Sequence, residues 1–353
     1  MQNSKPLLVV YHGSCADGFG AAWAIHKAEL AGRVTRGVEY VKGTYGYPAP
    51  DVQGRDLVLV DFCYPPQVME ELVAMANTVL VLDHHVSAQK DMAALAERLG
   101  WRVYAGVNHD GGATIMITDY LTPEGKTAKV EMCFDMNRSG AAMAWDHFNN
   151  HTHWPTLIKY VQDRDLWTKV LPHIDEFTLA LGSYDMDFAT WDKIAARVEF
   201  SAINNPQGLA QFYNEGSSIL RYQRNLVDQA VKASFWVTLQ APRGLFDGAS
   251  TADSPLPNVP INSWRVRATN CIPALASEVG EVLAERFGGI GLTWIEGKDQ
   301  LLYSLRSRGD NAPDVSLIAK AFGGGGHAKA AGFKSSHNVH IKEFKDAGKI
   351  VAS

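Results

Sequence analysis

The chain has 353 residues, of which 46% are hydrophobic and 20% charged, and its formal net charge is −5. This composition is typical of a globular protein and argues against disorder, and the length favours two domains because single cores stop growing at about 250 to 300 residues. The negative charge disfavours binding to long nucleic acids, whose affinity depends on many Lys and Arg contacts to phosphates.

Cysteine spacing and apolar runs limit the cellular setting. The four cysteines are scattered without a C-x-x-C pair, which disfavours a zinc knuckle and a disulfide framework. The apolar run at residues 7–11 is too short for a signal peptide, and no run reaches the 18 apolar residues of a membrane span. We therefore expect a cytoplasmic protein with no membrane partner.

Three buried strands are predicted in the N-terminal half. Residues 7–11, 56–62 and 78–82 are short apolar runs, as expected for strands buried on both faces of a sheet. Helical segments follow the first two, at 18–31 and, after a Pro-Pro pair, at 68–76. Strands that alternate with helices favour a doubly wound parallel α/β sheet.

The rest of the chain is predicted to contain a long helix and a second, smaller α/β domain. Residues 207–234 have apolar side chains at helical spacing, which predicts a helix that joins the two domains. The other helices are predicted at 139–149, 154–161, 175–200 and 272–287. Strands are predicted at 235–239, 265–268, 291–295 and 301–306, and an exposed loop at 244–260. The predicted divisions are a domain at 1–205, a connecting helix at 206–234 and a domain at 235–353.

Acids and histidines follow all three predicted N-terminal strands. Because open α/β sheets bind ligands at the carboxyl ends of their strands, we expect these side chains to share one crevice. Clustered carboxylates are costly unless cations neutralise them, and a mixed Asp and His set suits Mn²⁺ better than a structural zinc ion. The residues are His12, Asp17, Asp61, Asp83, His84 and His85.

Each of these features also has a purely structural interpretation. Asp17 and Gly18 could form a turn or a helix cap, and Asp61 could cap its strand. The two adjacent histidines at 84 and 85 are harder to explain as a cap. A structural interpretation of all three segments needs three independent coincidences, so we favour a metal site.

Several segments of the chain resemble the DHH family of phosphoesterases. The N-terminal segments are HGSCADGFGAA from His12, LVDF with Asp61, LDHH with Asp83, SGAAMAW from Ser139 and QDRDLW with Asp163. Two C-terminal segments, SLRSRGD and AFGGGGHAKAAGF, resemble the DHHA1 domain that accompanies many members. The family includes RecJ-type exonucleases, nanoRNases and cyclic-dinucleotide phosphodiesterases, and more distantly family II pyrophosphatases and exopolyphosphatases.

The resemblance implies a site for two divalent ions, with Mn²⁺ favoured and Mg²⁺ or Co²⁺ as options. Asp61 would bridge the ions, and Asp83 would be either a ligand or the partner that orients a histidine. The implied metal ligands are His12, Asp17, Asp61, Asp83, His84 and Asp163. The implied catalytic residues are Asp83, His84 and His85, with His85 facing the substrate phosphate.

One position departs from the family pattern. The family usually has D-x-D in its first motif, whereas this chain has Cys15 at the first of those two positions. A thiolate could serve as a ligand because a metal lowers the pKa of a thiol. We favour the alternative, in which Cys15 is a spectator, since His12, Asp17 and Asp61 already suggest an oxygen-and-imidazole site.

The glycine run at 323–326 would, by itself, be interpreted as a flexible loop. Glycines also let backbone N–H groups approach an anion, and neighbouring Arg and His side chains can donate to phosphate. The resemblance implies that this segment holds a nucleotide phosphate or the end of a strand. The predicted substrate-binding residues are Arg306, Arg308, Gly324, Gly325, Gly326 and His327.

The leading functional prediction is a metal-dependent phosphodiesterase that converts short single-stranded oligonucleotides, or linear or cyclic dinucleotides, to nucleoside monophosphates. One alternative is a phosphoanhydride hydrolase acting on pyrophosphate or polyphosphate, which Arg306 and the GGGGH segment disfavour. Another is a sensor that binds a nucleotide without cleaving it, which is favoured by Cys15 alone. The sequence does not distinguish RNA from DNA, and a homodimer is left open.

Overall fold

The computed structural model describes residues 5–13, 15–107, 113–118, 129–203, 207–240, 263–298, 300–309, 312–336 and 348–351. The chain divides into two units, Met1–Leu220 and Arg221–Ser353. Within the described residues each unit contains a seven-stranded sheet with helices, so the predicted α/β class is confirmed. In this part of the chain, no helix is both long and apolar enough to cross a membrane.

The first unit has a sheet in the order β2-β1-β3-β4-β7-β6-β5. Its strands are β1 (Leu7–His12), β2 (Val38–Gly43), β3 (Asp56–Val60), β4 (Thr78–Asp83), β5 (Arg102–Val107), β6 (Ala113–Thr118) and β7 (Val130–Phe134). The helices are α1 (Ala16–Leu30), α2 (Pro66–Met75), α3 (Val86–Leu99), α4 (Gly140–Phe148), α5 (Thr156–Asp165), α6 (Ile174–Gly182), α7 (Phe188–Ile203) and α8 (Gln207–Lys232), the last of which extends into the second unit.

The central strands are apolar because both faces of the sheet are covered. In β1, Val9 packs in one hydrophobic cluster and Leu8 and Val10 pack in another, and β3 and β4 alternate in the same way. The pairs that join β2, β1, β3, β4 and β7 are parallel, and the pairs that add β6 and β5 are antiparallel. Strand order reverses between β1 and β3, which places a ligand crevice at their carboxyl ends.

Four strands of this sheet, β2, β5, β6 and β7, were not predicted. β2, β5 and β6 do not form the continuous apolar runs that identify β1, β3 and β4, and most of β5 is exposed at the edge of the sheet. The segment at 175–200, predicted to be largely helical, contains two helices, α6 and α7. Residues 183–187 separate them, and Asp187 accepts a hydrogen bond from the N–H of Thr190 in the first turn of α7.

The second unit has a mixed sheet in the order β12-β13-β11-β10-β9-β8-β14. Its strands are β8 (Phe235–Gln240), β9 (Ser263–Asn270), β10 (Ile290–Glu296), β11 (Gln300–Ser307), β12 (Gly325–His327), β13 (Ala330–Ser336) and β14 (Gly348–Val351), and its further helices are α9 (Ala276–Phe287) and α10 (Val315–Ala321). Helix α9 packs so closely on β10 that a Cβ atom on Gly291 would lie 2.0 Å from the carbonyl oxygen of Gly280. The loop predicted at 244–260 lies outside the described residues.

Candidate metal centre

The carboxyl ends of β1, β3 and β4 bring acids and histidines together in the first unit. His12 ends β1, Asp61 follows β3, and Asp83 ends β4 immediately before His84 and His85. The described residues contain three groups whose ligand atoms lie within 4.8 Å of one another. These groups are His12, Cys15 and Asp61; Asp61, His84 and His85; and Asp17, His84 and Asp165.

Asp61 is common to two of these groups and is 1% exposed. Its Oδ1 atom lies 3.1 Å from Nε2 of His84, and its Oδ2 atom lies 3.3 Å from Nδ1 of His12. Burial opposes the charged form, but these two contacts hold the pKa of Asp61 below its ordinary value. The backbone φ of Asp61 is +53°, a left-handed conformation that costs on the order of 1 kcal/mol and is often retained at functional sites.

Asp17 lies on α1 and contacts the N-terminus of α4. Its Oδ2 and Oδ1 atoms accept hydrogen bonds from the N–H groups of Gly140, at 2.6 Å, and Ala141, at 3.0 Å. A helix N-terminus stabilises a buried anion in this position. Gly140 is required sterically, because a Cβ atom there would lie 2.5 Å from Cβ of Asp61 and 3.0 Å from Oδ2 of Asp17.

Asp83 orients His85. Its Oδ1 atom accepts hydrogen bonds from the N–H of His84, at 2.7 Å, and from Nδ1 of His85, at 2.7 Å. A carboxylate is an acceptor, so Nδ1 of His85 carries a proton, which leaves Nε2 for another partner. The Oδ2 atom of Asp83 is buried and has no hydrogen-bond partner among the described residues. The Oδ1 atom of Asp83 is thus positioned to orient a histidine, and its Oδ2 atom has the position of a possible ligand, so both predicted roles stay predictions.

The charges of this cluster fit a site for divalent cations. Burial raises the pKa of Asp17 well above its ordinary value, and the nearby carboxylates of Asp165 and Asp61 raise it further. Burial works against a charged imidazole, yet Asp61, Asp17 and Asp165 raise the pKa of His84 to about 10. Histidines are the ion-pair partners of these acids in the described part of the chain. Cations would relieve the repulsion between the carboxylates.

The structure does not bring Asp163, a predicted ligand, to this cluster. Its carboxylate accepts hydrogen bonds from the hydroxyl of Thr168 at 2.5 Å and from the N–H groups of Val170, at 3.0 Å, and Leu171, at 2.9 Å. Asp165 instead occupies the position expected for Asp163, with its Oδ2 atom 3.2 Å from Nε2 of His84. Asp165 was not predicted from the sequence. The spacing of the two acids offered a signal, because residues two apart on a helix face different directions and so do not both point at the cluster.

Cys15 lies at the edge of the cluster. Its Sγ atom is 3.7 Å from Oδ2 of Asp61. Burial raises the pKa of this thiol, and the negative charges of Asp61 and Asp17 add to the effect, so the thiol is neutral when no cation is bound. Whether it is a ligand or a spectator stays a prediction.

The predicted substrate-binding residues of the second unit have structural partners of their own. The guanidinium group of Arg306 donates to Ser304, Leu305 and Ser277, and Arg308 pairs with Glu281. Their role in binding substrate stays a prediction.

The GGGGH segment forms a short strand rather than a flexible loop, since β12 pairs with β13. A Cβ atom on Gly324 would lie 2.1 Å from the carbonyl oxygen of Gly332, and Gly326 has a φ of +139°. A Cβ atom on Gly325 would meet nothing within 4 Å, and His327 is exposed. Close packing and a positive φ therefore explain Gly324 and Gly326 respectively, and the predicted phosphate contacts stay a prediction.

Comparisons with known proteins give one sequence relative and several solved structures. No protein-family model matches the chain. An uncharacterized protein of Acanthamoeba polyphaga mimivirus is 26% identical over 347 residues, which cover 93% of this chain and 67% of that protein.

The similar solved structures are distant. A pGpG-specific phosphodiesterase, PggH, from Vibrio cholerae is 13% identical, with a TM-score of 0.42 and coverage of 95% of this chain and 94% of that one. An exopolyphosphatase-related protein from Bacteroides fragilis is 12% identical, with a TM-score of 0.42 and coverage of 94% and 86%. RecJ from Thermus thermophilus, in complex with Mn²⁺, is 14% identical, with a TM-score of 0.43 and coverage of 96% and 50%.

The cluster itself agrees with the resemblance found in the sequence. Four of the motif segments, those with His12, Asp61, Asp83 and Asp163, contribute side chains to it directly, the last of them through Asp165, and the segment from Ser139 contributes the N-terminus of α4. The site is consistent with a DHH family phosphoesterase.

Proposed function

We propose that this chain is a metal-dependent phosphodiesterase of the DHH type that hydrolyses short single-stranded oligonucleotides or dinucleotides to nucleoside monophosphates. The observation that carries the proposal is the convergence of Asp17, Asp61 and Asp165 on His84 at the carboxyl ends of parallel strands. The net charge of −5 favours short substrates, because long strands require many cationic contacts.

Two divalent ions, most simply Mn²⁺, would be held by oxygen and imidazole groups of this cluster. Asp61 would be shared between them, because its two carboxylate oxygens face His84 and His12 separately. Such ions lower the pKa of water and neutralise negative charge on a phosphoryl group. The other proposed ligands are His12, Asp17, His84 and Asp165, with Cys15 as a spectator.

The remaining chemistry falls to the pair formed by Asp83 and His85. Asp83 fixes the ring of His85 through Nδ1, so Nε2 can donate a proton or a hydrogen bond to a phosphoryl oxygen. The contact with Asp83 favours the charged imidazolium over the opposing effect of burial and raises the pKa of His85. His85 would thereby offset charge that develops on the phosphoryl group without forming a covalent bond to it.

The second unit would contribute substrate binding. The exposed His327 and the backbone of Gly325 and Gly326 offer donors to a terminal phosphate or nucleotide. The support for this part is the sequence resemblance to DHHA1 domains. Arg306 and Arg308 already donate to Ser277 and Glu281 within the unit, so this proposal relies on His327 and the glycine backbone.

The test is a substrate panel assayed with purified protein and Mn²⁺, with and without excess chelator. The panel contains a linear dinucleotide, a longer single strand, a cyclic dinucleotide and pyrophosphate. We expect release of nucleoside monophosphate from the dinucleotide, and loss of that activity on chelation. Phosphate release from pyrophosphate alone would establish the phosphoanhydride alternative, and tight nucleotide binding without any cleavage would establish a sensor.

A further inference from the structure

A tight turn follows β2 beside the candidate metal centre. The N–H of Tyr47 donates to the carbonyl oxygen of Thr44 at 3.1 Å, and Gly46 has a φ of +86°. A left-handed residue at the third position is characteristic of a type II turn, which needs glycine there. Tyr45 occupies the second position of this turn, so the turn conformation sets the direction in which its side chain leaves the backbone.

The ring of Tyr45 is held against the metal centre. Its centroid lies 4.7 Å from that of Phe62, the residue after Asp61, and 5.7 Å from that of His12, in an edge-on arrangement. Phe62 is completely buried, whereas Tyr45 is 50% exposed. The tyrosine ring therefore packs against the protein beside the acidic cluster, while about half of the residue stays exposed.

Close backbone packing keeps this turn in place. The N–H of Gly13 donates to the carbonyl oxygen of Gly43 at 2.8 Å, which ties the end of β2 to the end of β1. A Cβ atom on Gly43 would lie 2.9 Å from the ring of Phe62. The approach of the turn to Phe62 thus depends on glycine.

A supported, half-exposed aromatic ring beside a phosphate-binding centre has a clear chemical use. Nucleobases stack on such rings irrespective of their identity, and a tyrosine side chain loses little conformational entropy when it is already packed. An unsupported ring would gain less, because ordering it on binding has a cost in side-chain entropy.

We propose that Tyr45 stacks on the base of the nucleotide whose phosphate lies at the metal centre. This inference rests on the proposed phosphodiesterase function and names a residue that makes the site select nucleotides over other phosphodiesters. Tyr47, in the same turn and 70% exposed, makes no ring contact with Phe62 or His12 among the described residues and serves as the matched control.

The experiment compares two chromogenic esters in Mn²⁺: thymidine 5′-(p-nitrophenyl phosphate), which carries a base, and methyl p-nitrophenyl phosphate, which does not. We expect Tyr45→Ala to raise KM for the thymidine ester about tenfold, an effect in the range of base stacking, without changing the methyl ester. Tyr45→Phe should behave as wild type on both esters, and Tyr47→Ala likewise. The Mn²⁺ content of all variants should be equal.

Two results would overturn the proposal. One is an equal loss on both esters in Tyr45→Ala, which would mean that the ring supports the centre and does not contact a base. The other is an unchanged KM for the thymidine ester. If wild-type protein cleaves neither ester, the proposed function fails, and calorimetric binding of adenosine 5′-monophosphate then tests Tyr45 separately. Tenfold weaker binding by Tyr45→Ala would support stacking, and equal binding would reject it.

Discussion

Asp165 lies against His84, with 3.2 Å between its Oδ2 atom and Nε2 of the imidazole. Asp163, two residues earlier on the same helix, faces the loop after it and accepts hydrogen bonds from Thr168, Val170 and Leu171. We predict that Asp165→Asn loses metal and at least a hundredfold in activity, on the order of the effect of removing one charge-stabilising group from an active site. Metal analysis and kcat on a dinucleotide are the measurements.

The matched control is Asp163→Asn, which should retain its metal but lose stability. Burial opposes ionisation, but the hydrogen bonds from the loop hold the pKa of Asp163 below its ordinary value. A depressed carboxyl pKa contributes stability above about pH 3.9 that is lost as the pH falls through the folded value. The variant should be less stable by about 1–3 kcal/mol at pH 7, with a smaller difference at low pH. Retained stability combined with lost metal would make Asp163 the ligand.

Replacing the proposed bridge should release both ions together. Asp61→Asn removes the charge but keeps the backbone, because Asn tolerates the left-handed conformation seen at φ +53°. We expect loss of both equivalents of Mn²⁺ and of activity, measured by elemental analysis after gel filtration. Asp56→Asn, at the opposite end of β3, is the control. Full metal content in Asp61→Asn would show that another residue bridges the ions.

The close approach of α4 to the acids should make Gly140→Ala severe. The added Cβ atom would lie 2.5 Å from Cβ of Asp61 and 3.0 Å from Oδ2 of Asp17, so a backbone shift must follow. We predict destabilisation of about 1–3 kcal/mol and a large fall in activity. Gly182→Ala, at the end of α6 with nothing within 4 Å of its new Cβ atom, should be neutral or stabilising. The free energy of unfolding in urea and the activity are measured for both variants. Equal stability and equal activity in the two variants would contradict the steric argument.

The thiol of Cys15 should be dispensable. On the spectator interpretation, Cys15→Ser stays within a few-fold of the wild-type rate, and Cys15→Asp lowers the Mn²⁺ concentration that gives half activity, because a carboxylate suits this ion better than a thiol. Both variants are compared by titration with Mn²⁺. Loss of one equivalent of metal in Cys15→Ser would instead make the thiol a ligand and would predict sensitivity to oxidation.

His327 is predicted to act on substrate and not on metal. His327→Ala should raise KM for a dinucleotide several-fold while the Mn²⁺ content stays the same, since the residue is proposed to contact a phosphate away from the ions. Steady-state kinetics and elemental analysis are sufficient. If KM and kcat are both unchanged, the GGGGH segment has no part in holding substrate.

The positions of the acids along the central strands made much of this site predictable. β1, β3 and β4 are continuous apolar runs because both faces of the sheet are covered, and parallel strands of this kind direct their final residues to one edge. The sequence alone therefore predicts that His12, Asp61 and Asp83 lie close together.

What could not be predicted depends on side-chain direction and on weakly patterned segments. The choice between Asp163 and Asp165 rests on how α5 is rotated about its axis, and the loop that captures Asp163 has no sequence signature of its own. β2 and β5 are partly exposed and so lack a clear apolar pattern. Tyr45 lies in a turn after one of these strands, and its neighbours Phe62 and His12 are far from it in sequence.

The contact between Asp17 and α4 has a consequence for how selectively the site can coordinate an ion. Each oxygen of Asp17 already accepts one backbone N–H, so each retains about one lone-pair direction for a cation. Rotation of the carboxylate would break a hydrogen bond to the helix. A carboxylate held in this way would suit an ion of strict coordination geometry, such as Mg²⁺, better than Ca²⁺, which takes six to eight ligands in a flexible geometry.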